Sequence, residues 1–177
     1  MCLYPKKVLN RKYLPNRKNG GIVPAISDEN LRFVEIPCGN CMECMKKKSR
    51  EWTVRLSEEL KYNPNAYFIT LTFNEESYNM LMNCLIRTGN YDHSEINEIA
   101  RLAVRRFLER YRKTHKKSIR HWLITELGHE GTERLHLHGI IWTNHIDEIA
   151  WFWNYGFIWK GEYTNQQTIN YIVKYVS

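Results

Sequence analysis

Arg134-Leu135-His136-Leu137-His138-Gly139-Ile140-Ile141-Trp142 alternates in a way that fits a β-strand. So does Ile119-Arg120-His121-Trp122-Leu123-Ile124-Thr125-Glu126-Leu127 before it. Residues two apart on a strand share a face, so His136 and His138 point one way while Leu135, Leu137 and Gly139 point the other. The apolar set can pack against helices, leaving both imidazoles to a cleft. Gly128-His129-Glu130-Gly131-Thr132-Glu133 joins the two stretches as a turn. A hairpin centred near Gly131 sets Glu126 about opposite His136, and directly opposed Cβ atoms lie roughly 4.5–5.5 Å apart. One carboxylate and two imidazoles can then meet one divalent ion, provided the register holds, because a one-residue slip turns Glu126 away.

Working outward, residues 66–73 (AYFITLTF) are β-branched and aromatic and predict a buried strand, and residues 31–37 (LRFVEIP) predict a shorter one. A further strand is expected near 156–162. A long helix is expected after Cys44 as far as Tyr62, where Asn63-Pro64-Asn65 breaks it. Residues 75–93 suit a short helix and a loop. A helix from an N-cap at Ser94 to His115 carries Ile96, Ala100, Ala103, Val104, Phe107, Leu108 and Tyr111 at helical spacing. A short helix is expected near 146–154, and a last one from Gln166 to the end. Residues 1–30, rich in Lys, Arg, Asn, Gly and Pro, read as an extended arm or loop. This order predicts an α+β fold, a central antiparallel sheet of about five strands with flanking helices. The division expected is an arm and cysteine cluster over 1–50, within the same domain, and the main body over 51–177.

The chain has 177 residues, 43% hydrophobic and 25% charged, which suits one globular domain and excludes global disorder. Its net charge of +7 favours a polyanionic partner. No apolar run approaches the roughly 20 residues needed to span a bilayer, and the N-terminus has no apolar signal core. These features lead us to expect an intracellular protein without membrane contact. In a reducing compartment the five cysteines point to a metal before disulfides.

Two His and one carboxylate, with positions left open, suit a catalytic ion rather than a closed structural one. The plainer alternative is a pair of hydrogen-bonded histidines in a sheet. His129 is a possible substitute ligand. His121 has the opposite parity to Glu126, and His93, His115 and His145 show no constellation and are expected at the surface. In the last helix Ile169, Ile172, Val173 and Val176 form one stripe, and Tyr171 and Tyr175 fall well outside it. They are either surface aromatics or hydroxyls aimed into the metal cleft. Lys174, between them, is either solvated or a phosphate ligand.

Cys38, Cys41 and Cys44 are spaced C-x2-C-x2-C, and Cys2 could supply a fourth thiolate if the arm folds back. A structural Zn²⁺ is the favoured reading, with an iron–sulfur cluster or unligated thiols as alternatives. Cys84 stands alone and is expected in the core. Lys46, Lys47, Lys48 and Arg50 form one basic run, and residues 101–120 hold nine Lys or Arg against one acid. Arg101, Arg105, Arg112 and Lys113 in the second run are either a solvated helix face or a DNA-backbone track.

Four segments together resemble the HUH superfamily of single-strand DNA endonucleases, and within it the rolling-circle replication initiators of Microviridae, especially gokushovirus-like phages. They are Phe68-Ile69-Thr70-Leu71-Thr72-Phe73, Glu126-Leu127-Gly128, Arg134 to Ile140 with its His-Leu-His, and Tyr171-Ile172-Val173-Lys174-Tyr175-Val176. Cys2 and the Pro-Cys-Gly-x-Cys segment at 37–41 are also similar to those initiators. Leu127 stands where an aromatic is usual, and Leu135 where Pro is common. The chain stops two residues after Tyr175, where members usually continue, which suggests a catalytic-domain fragment.

The resemblance implies an HUH/RRM-like palm and a metal (Mn²⁺ or Mg²⁺) on Glu126, His136 and His138. It implies that Tyr171 or Tyr175 cuts single-stranded origin DNA through a 5′-phosphotyrosine, with Lys174 assisting. A free 3′-OH would prime synthesis, with host helicase and polymerase as partners in the host cytoplasm. The competing readings are a noncatalytic zinc-stabilised nucleic-acid-binding protein and a relaxase or transposase of the same superfamily.

Overall fold

A computed structural model of the chain describes residues 2–89, 96–128 and 134–176. Ser94, His93, His129 and the turn centre Gly131 lie outside the described residues. The chain divides into two compact units, Met1–Glu51 and Trp52–Val176.

In the first unit, β1 (Lys6–Leu9) pairs antiparallel with β2 (Phe33–Ile36), Lys6 opposite Ile36 and Leu9 opposite Phe33. The segment expected to be an irregular arm is therefore a ribbon with short 3-10 turns at Arg11–Tyr13, Arg17–Asn19 and Glu29–Arg32. Nothing local marks β1, because its partner strand is more than twenty residues away and neither strand buries a face. Asn10, Asn16 and Asp28 cap the three turns with their side chains, as these residue types do where backbone N–H groups would be left over.

Helix α1 (Met42–Tyr62) runs from the first unit into the second. The second unit continues with β3 (Ala66–Thr72), α2 (Glu75–Arg87), α3 (Ile96–His115), β4 (Arg120–Leu127), β5 (Leu135–Trp142), α4 (Ile149–Phe152), β6 (Ile158–Tyr163) and α5 (Gln166–Ile172). The α+β class stands. The central antiparallel sheet has four strands in the order β4-β5-β3-β6, because the strand expected at 31–37 pairs with β1 and does not join it.

Strand parity divides the core. Ile69, Leu71, Leu135, Leu137 and Ile141 face α2, α3 and α4, packing with Leu81, Ile99, Phe107 and Trp153. Ala66 and Ile140 face the other way, against Leu56 of α1 and Ile169, Ile172 and Val173. Each fully buried aliphatic side chain contributes roughly 1.5–3 kcal/mol, so both faces are held firmly. Residues Val173–Val176 finish the chain as a 3-10 turn instead of continuing α5. The stripe read from the sequence is nevertheless kept, since Ile169, Ile172, Val173 and Val176 are all buried.

Candidate functional site

β5 supplies the centre of the site. It is paired on both sides, with Thr72 and Glu126 flanking His136, and Thr70 and Ile124 flanking His138. Glu126 thus stands directly opposite His136, the register that the hairpin arithmetic requires. The side chains make a diagonal contact instead: His138 Nε2 lies 2.6 Å from Glu126 Oε2, with only 14% and 16% of the two side chains exposed. His136 shares the face, its ring centroid 6.4 Å from that of His138.

Thr70 Oγ1 meets the other imidazole nitrogen, His138 Nδ1, at 2.9 Å. If that nitrogen carries the proton and donates it to the hydroxyl, Nε2 is left with a lone pair directed at Glu126 and any shared ion. Phe68 stacks near-parallel on His138 at 6.1 Å. Burial pulls the His138 imidazole below its ordinary value; the Glu126 carboxylate opposes this, and His136 adds to the lowering. Gly139 keeps the strands close at this point, since a Cβ there would lie 2.0 Å from the Trp122 carbonyl oxygen.

The donor set of two imidazoles and a carboxylate suits a divalent ion. The three donor atoms are not gathered within 4.8 Å of one another; among the described residues that holds only for Cys2, Cys38, Cys41 and Cys44, and for His115, His145 and Glu148. Glu126 and His138 are poised together, and His136 would have to turn toward them.

α5 and the turn after it bring both tyrosines to this face. The Tyr175 ring stacks on His138 at 5.5 Å, and Tyr171 sits edge-on to Phe68 at 6.2 Å. The Tyr175 hydroxyl donates to the Tyr171 hydroxyl at 2.8 Å. That bond, followed by burial and the Glu126 carboxylate, holds the Tyr175 phenol well above its ordinary value. Lys174 Nζ lies 6.0 Å from the Tyr171 ring centre. Trp159, opposite Thr70 on β6, packs edge-on against Phe68 and is half exposed. Sequence reading missed Thr70, Phe68 and Trp159 as site residues, although the parity argument used for Glu126 would have found Thr70 once β3 was known to pair with β5.

The basic residues of α3 do not reach this face. Arg101, Arg105, Arg112 and Lys113 are exposed, but α3 packs on the Leu135–Leu137–Ile141 side of the sheet. Arg101 also pairs with Glu98, and Arg105 lies 3.9 Å from Glu109. His121 bonds the Ile119 carbonyl at 3.0 Å and takes no part in the site. Cys84 packs against the core, as expected, and accepts from Arg106 at 3.0 Å. The surface reading of His115 and His145 needs correction. They cluster with Glu148, and His115 is largely buried because α3 ends against the turn that follows β5.

In the first unit the cysteines converge. Cys2 and Cys41 sulfurs are 3.8 Å apart, and those of Cys38 and Cys44 3.9 Å. Sulfurs on a tetrahedral ion at about 2.3 Å lie roughly 3.8 Å apart, so the quartet could hold a metal such as zinc. The backbone N–H groups of Leu3 and Cys44 bring the Cys41 thiol down to about 6. Those of Asn40 and Cys41 lower Cys38. The N–H of Gly39 also favours a Cys44 thiolate, but burial and bonding to the other three sulfurs outweigh it and push Cys44 up to about 12. A cation would reverse that last effect.

Among the described residues no helix is long and apolar enough to cross a membrane. A curated relative, "Replication-associated protein ORF2" of Spiroplasma virus 4, is 36% identical over 91 residues, covering 45% of this chain and 28% of the relative. The chain therefore spans less than a third of that relative's length. No solved structure shows a significant match. Residues 66–177, more than half of the chain, match the family of replication-associated proteins that groups ORF2 with the gene-two protein. That segment contains the whole histidine–tyrosine face, and the chain belongs to this replication-associated protein family.

Proposed function

We propose that the chain is the nicking and rejoining part of an HUH-type rolling-circle replication initiator, similar to those of Microviridae. It acts on single-stranded origin DNA in the host cytoplasm, where host helicase and polymerase extend the product. The observation that carries this reading is the meeting of two tyrosine hydroxyls with Glu126, His136 and His138 on one sheet face.

A tyrosine oxygen attacks the scissile phosphate. The new P–O(Tyr) bond forms as the P–O3′ bond breaks, the tyrosine proton passes to solvent, and the leaving 3′ oxygen takes one up. Attack by a 3′-OH on the phosphotyrosine reverses the exchange and needs no outside energy. Glu126, His136 and His138 would hold Mn²⁺ or Mg²⁺, which when bound polarises the phosphate.

Tyr171 is assigned the first attack. It accepts the hydrogen bond from Tyr175, which favours its phenolate, and it is 46% exposed. Tyr175, held protonated, serves the second. Lys174 steadies the phosphate, and Trp159 and Phe68 offer surfaces on which unpaired bases stack. Arg101, Arg105, Arg112 and Lys113 are assigned to flanking DNA that has passed the sheet edge. Zn²⁺ on Cys2, Cys38, Cys41 and Cys44 is structural.

The test uses end-labelled single-stranded origin DNA with Mn²⁺ and a denaturing gel. A protein–DNA adduct is expected, reduced at least about 1000-fold in the Tyr171→Phe, Tyr175→Phe double variant and more by Tyr171→Phe than by Tyr175→Phe. An adduct that persists in the double variant would reject the nucleophiles. Binding without any adduct would favour the noncatalytic zinc-stabilised reading.

A further inference from the structure

His115 ends α3, and His145 and Glu148 lie in the turn that follows β5. Glu148 stands between the imidazoles: His145 Nδ1 is 3.0 Å from Oε1, and His115 Nε2 is 3.2 Å from Oε2. The two rings lie 4.2 Å apart. Donor atoms on a tetrahedral ion at about 2.0–2.1 Å are spaced roughly 3.3 Å apart, close to both separations.

His115 Nε2 is the telling atom. It is buried and has no hydrogen-bond partner among the described residues, since its approach to Glu148 does not have hydrogen-bond geometry. Buried polar atoms rarely stay unsatisfied. The ring is fixed by Tyr111 at 4.4 Å and Phe152 at 5.6 Å, so Nε2 cannot easily turn to find another partner. The C-terminal end of α3 adds negative potential at this place. A cavity lined by Tyr111, His115, Lys117, Ser118, Trp142 and His145 gives access from solvent.

We propose that His115, His145 and Glu148 form a second divalent transition-metal site, distinct from both the tyrosine face and the cysteine quartet. It takes Zn²⁺, Co²⁺ or Ni²⁺ in preference to Mg²⁺ or Ca²⁺, because two of its three protein donors are imidazoles. Water from the cavity completes the coordination. The site lies beyond the Trp142 end of β5, and His138 to Trp142 alone spans roughly 13 Å at about 3.3 Å per residue. The bound ion ties the end of α3 to the turn leading into α4.

The test titrates Co²⁺ calorimetrically into the zinc-loaded full chain carrying His136→Ala and His138→Ala, which removes the competing histidine site. One equivalent should bind. His145→Asn and Glu148→Gln, at partly exposed positions (47% and 34% of the side chain), should each lower the affinity at least about tenfold with tryptophan fluorescence unchanged. Crystals of the unsubstituted chain soaked in Co²⁺ should give an anomalous peak touching His115 Nε2, His145 Nδ1 and Glu148. Absence of that peak, or binding that survives both substitutions, overturns the site and leaves a carboxylate bridging two imidazoles. None of these readings depends on DNA cleavage.

Discussion

The donors of the histidine site sit on regular strands whose neighbours are fixed by backbone hydrogen bonds, with a packed layer on each side of the sheet. The cysteine quartet is built differently. Three sulfurs come from the short Cys38–Cys44 stretch and one from Cys2, and Cys41 is the only buried residue among described positions 2–51. Strand pairing alone can hold Glu126 beside His138. Nothing comparable holds the ribbon, because a segment without a core needs a disulfide, a metal or a partner to keep its shape. One region therefore offers a preformed frame to an ion, and the other would gain much of its frame from the ion.

The sharpest way to break that contrast is to strip the metal. A thiol-competing chelator, or Cys41→Ser, should remove about one zinc per chain and abolish hydrogen-exchange protection at Val8 and Val34, for structural zinc is worth about 10 kcal/mol or more. All six tryptophans lie at or beyond Trp52, so their fluorescence should not change. Protection that survives metal loss would show that the ribbon folds unaided.

A smaller effect is expected at Thr70, which orients His138 without belonging to the ligand set. Thr70→Val keeps the branched shape and removes the bond to Nδ1, so Mn²⁺ affinity should fall about tenfold with the thermal midpoint nearly unchanged. Equal affinity would mean that packing alone orients the ring.

The smallest effect is in pH. His138 titrates below its ordinary 6.5 in the folded, metal-free chain, chiefly through burial. The unfolded chain then binds more protons between the folded value and 6.5, so stability rises with pH across that window and is lost as pH falls through it. Imidazole NMR shifts should place the His138 midpoint below 6.5, and a midpoint above it would mean that the Glu126 carboxylate outweighs burial.

Much of the histidine site could be read in advance because period-two alternation and a short hairpin are local. They give the shared face of His136 and His138 and the pairing of Glu126 with His136. The apolar stripe of the last helix likewise put Tyr171 and Tyr175 outside the core. The spacing of Cys38, Cys41 and Cys44 marked a metal knuckle. The β1 strand was invisible, since Lys6–Leu9 has no buried face to impose a period. So was the cluster of His115 with His145 and Glu148, whose members are thirty residues apart along the chain.

The sequence by itself thus determined the alternation, the stripe and the cysteine spacing, all of which follow from backbone geometry over a few residues. Only the tertiary structure decided that β3 and β6 flank β5, which brings Thr70 to His138 and Trp159 beside Phe68. It alone decided that Glu126 reaches diagonally to His138, that Tyr175 donates to Tyr171, and that the α3 arginines lie on the opposite side of the sheet. The physical reason is that these arrangements depend on which distant segments bury one another's apolar surface, and no short stretch of sequence encodes that choice.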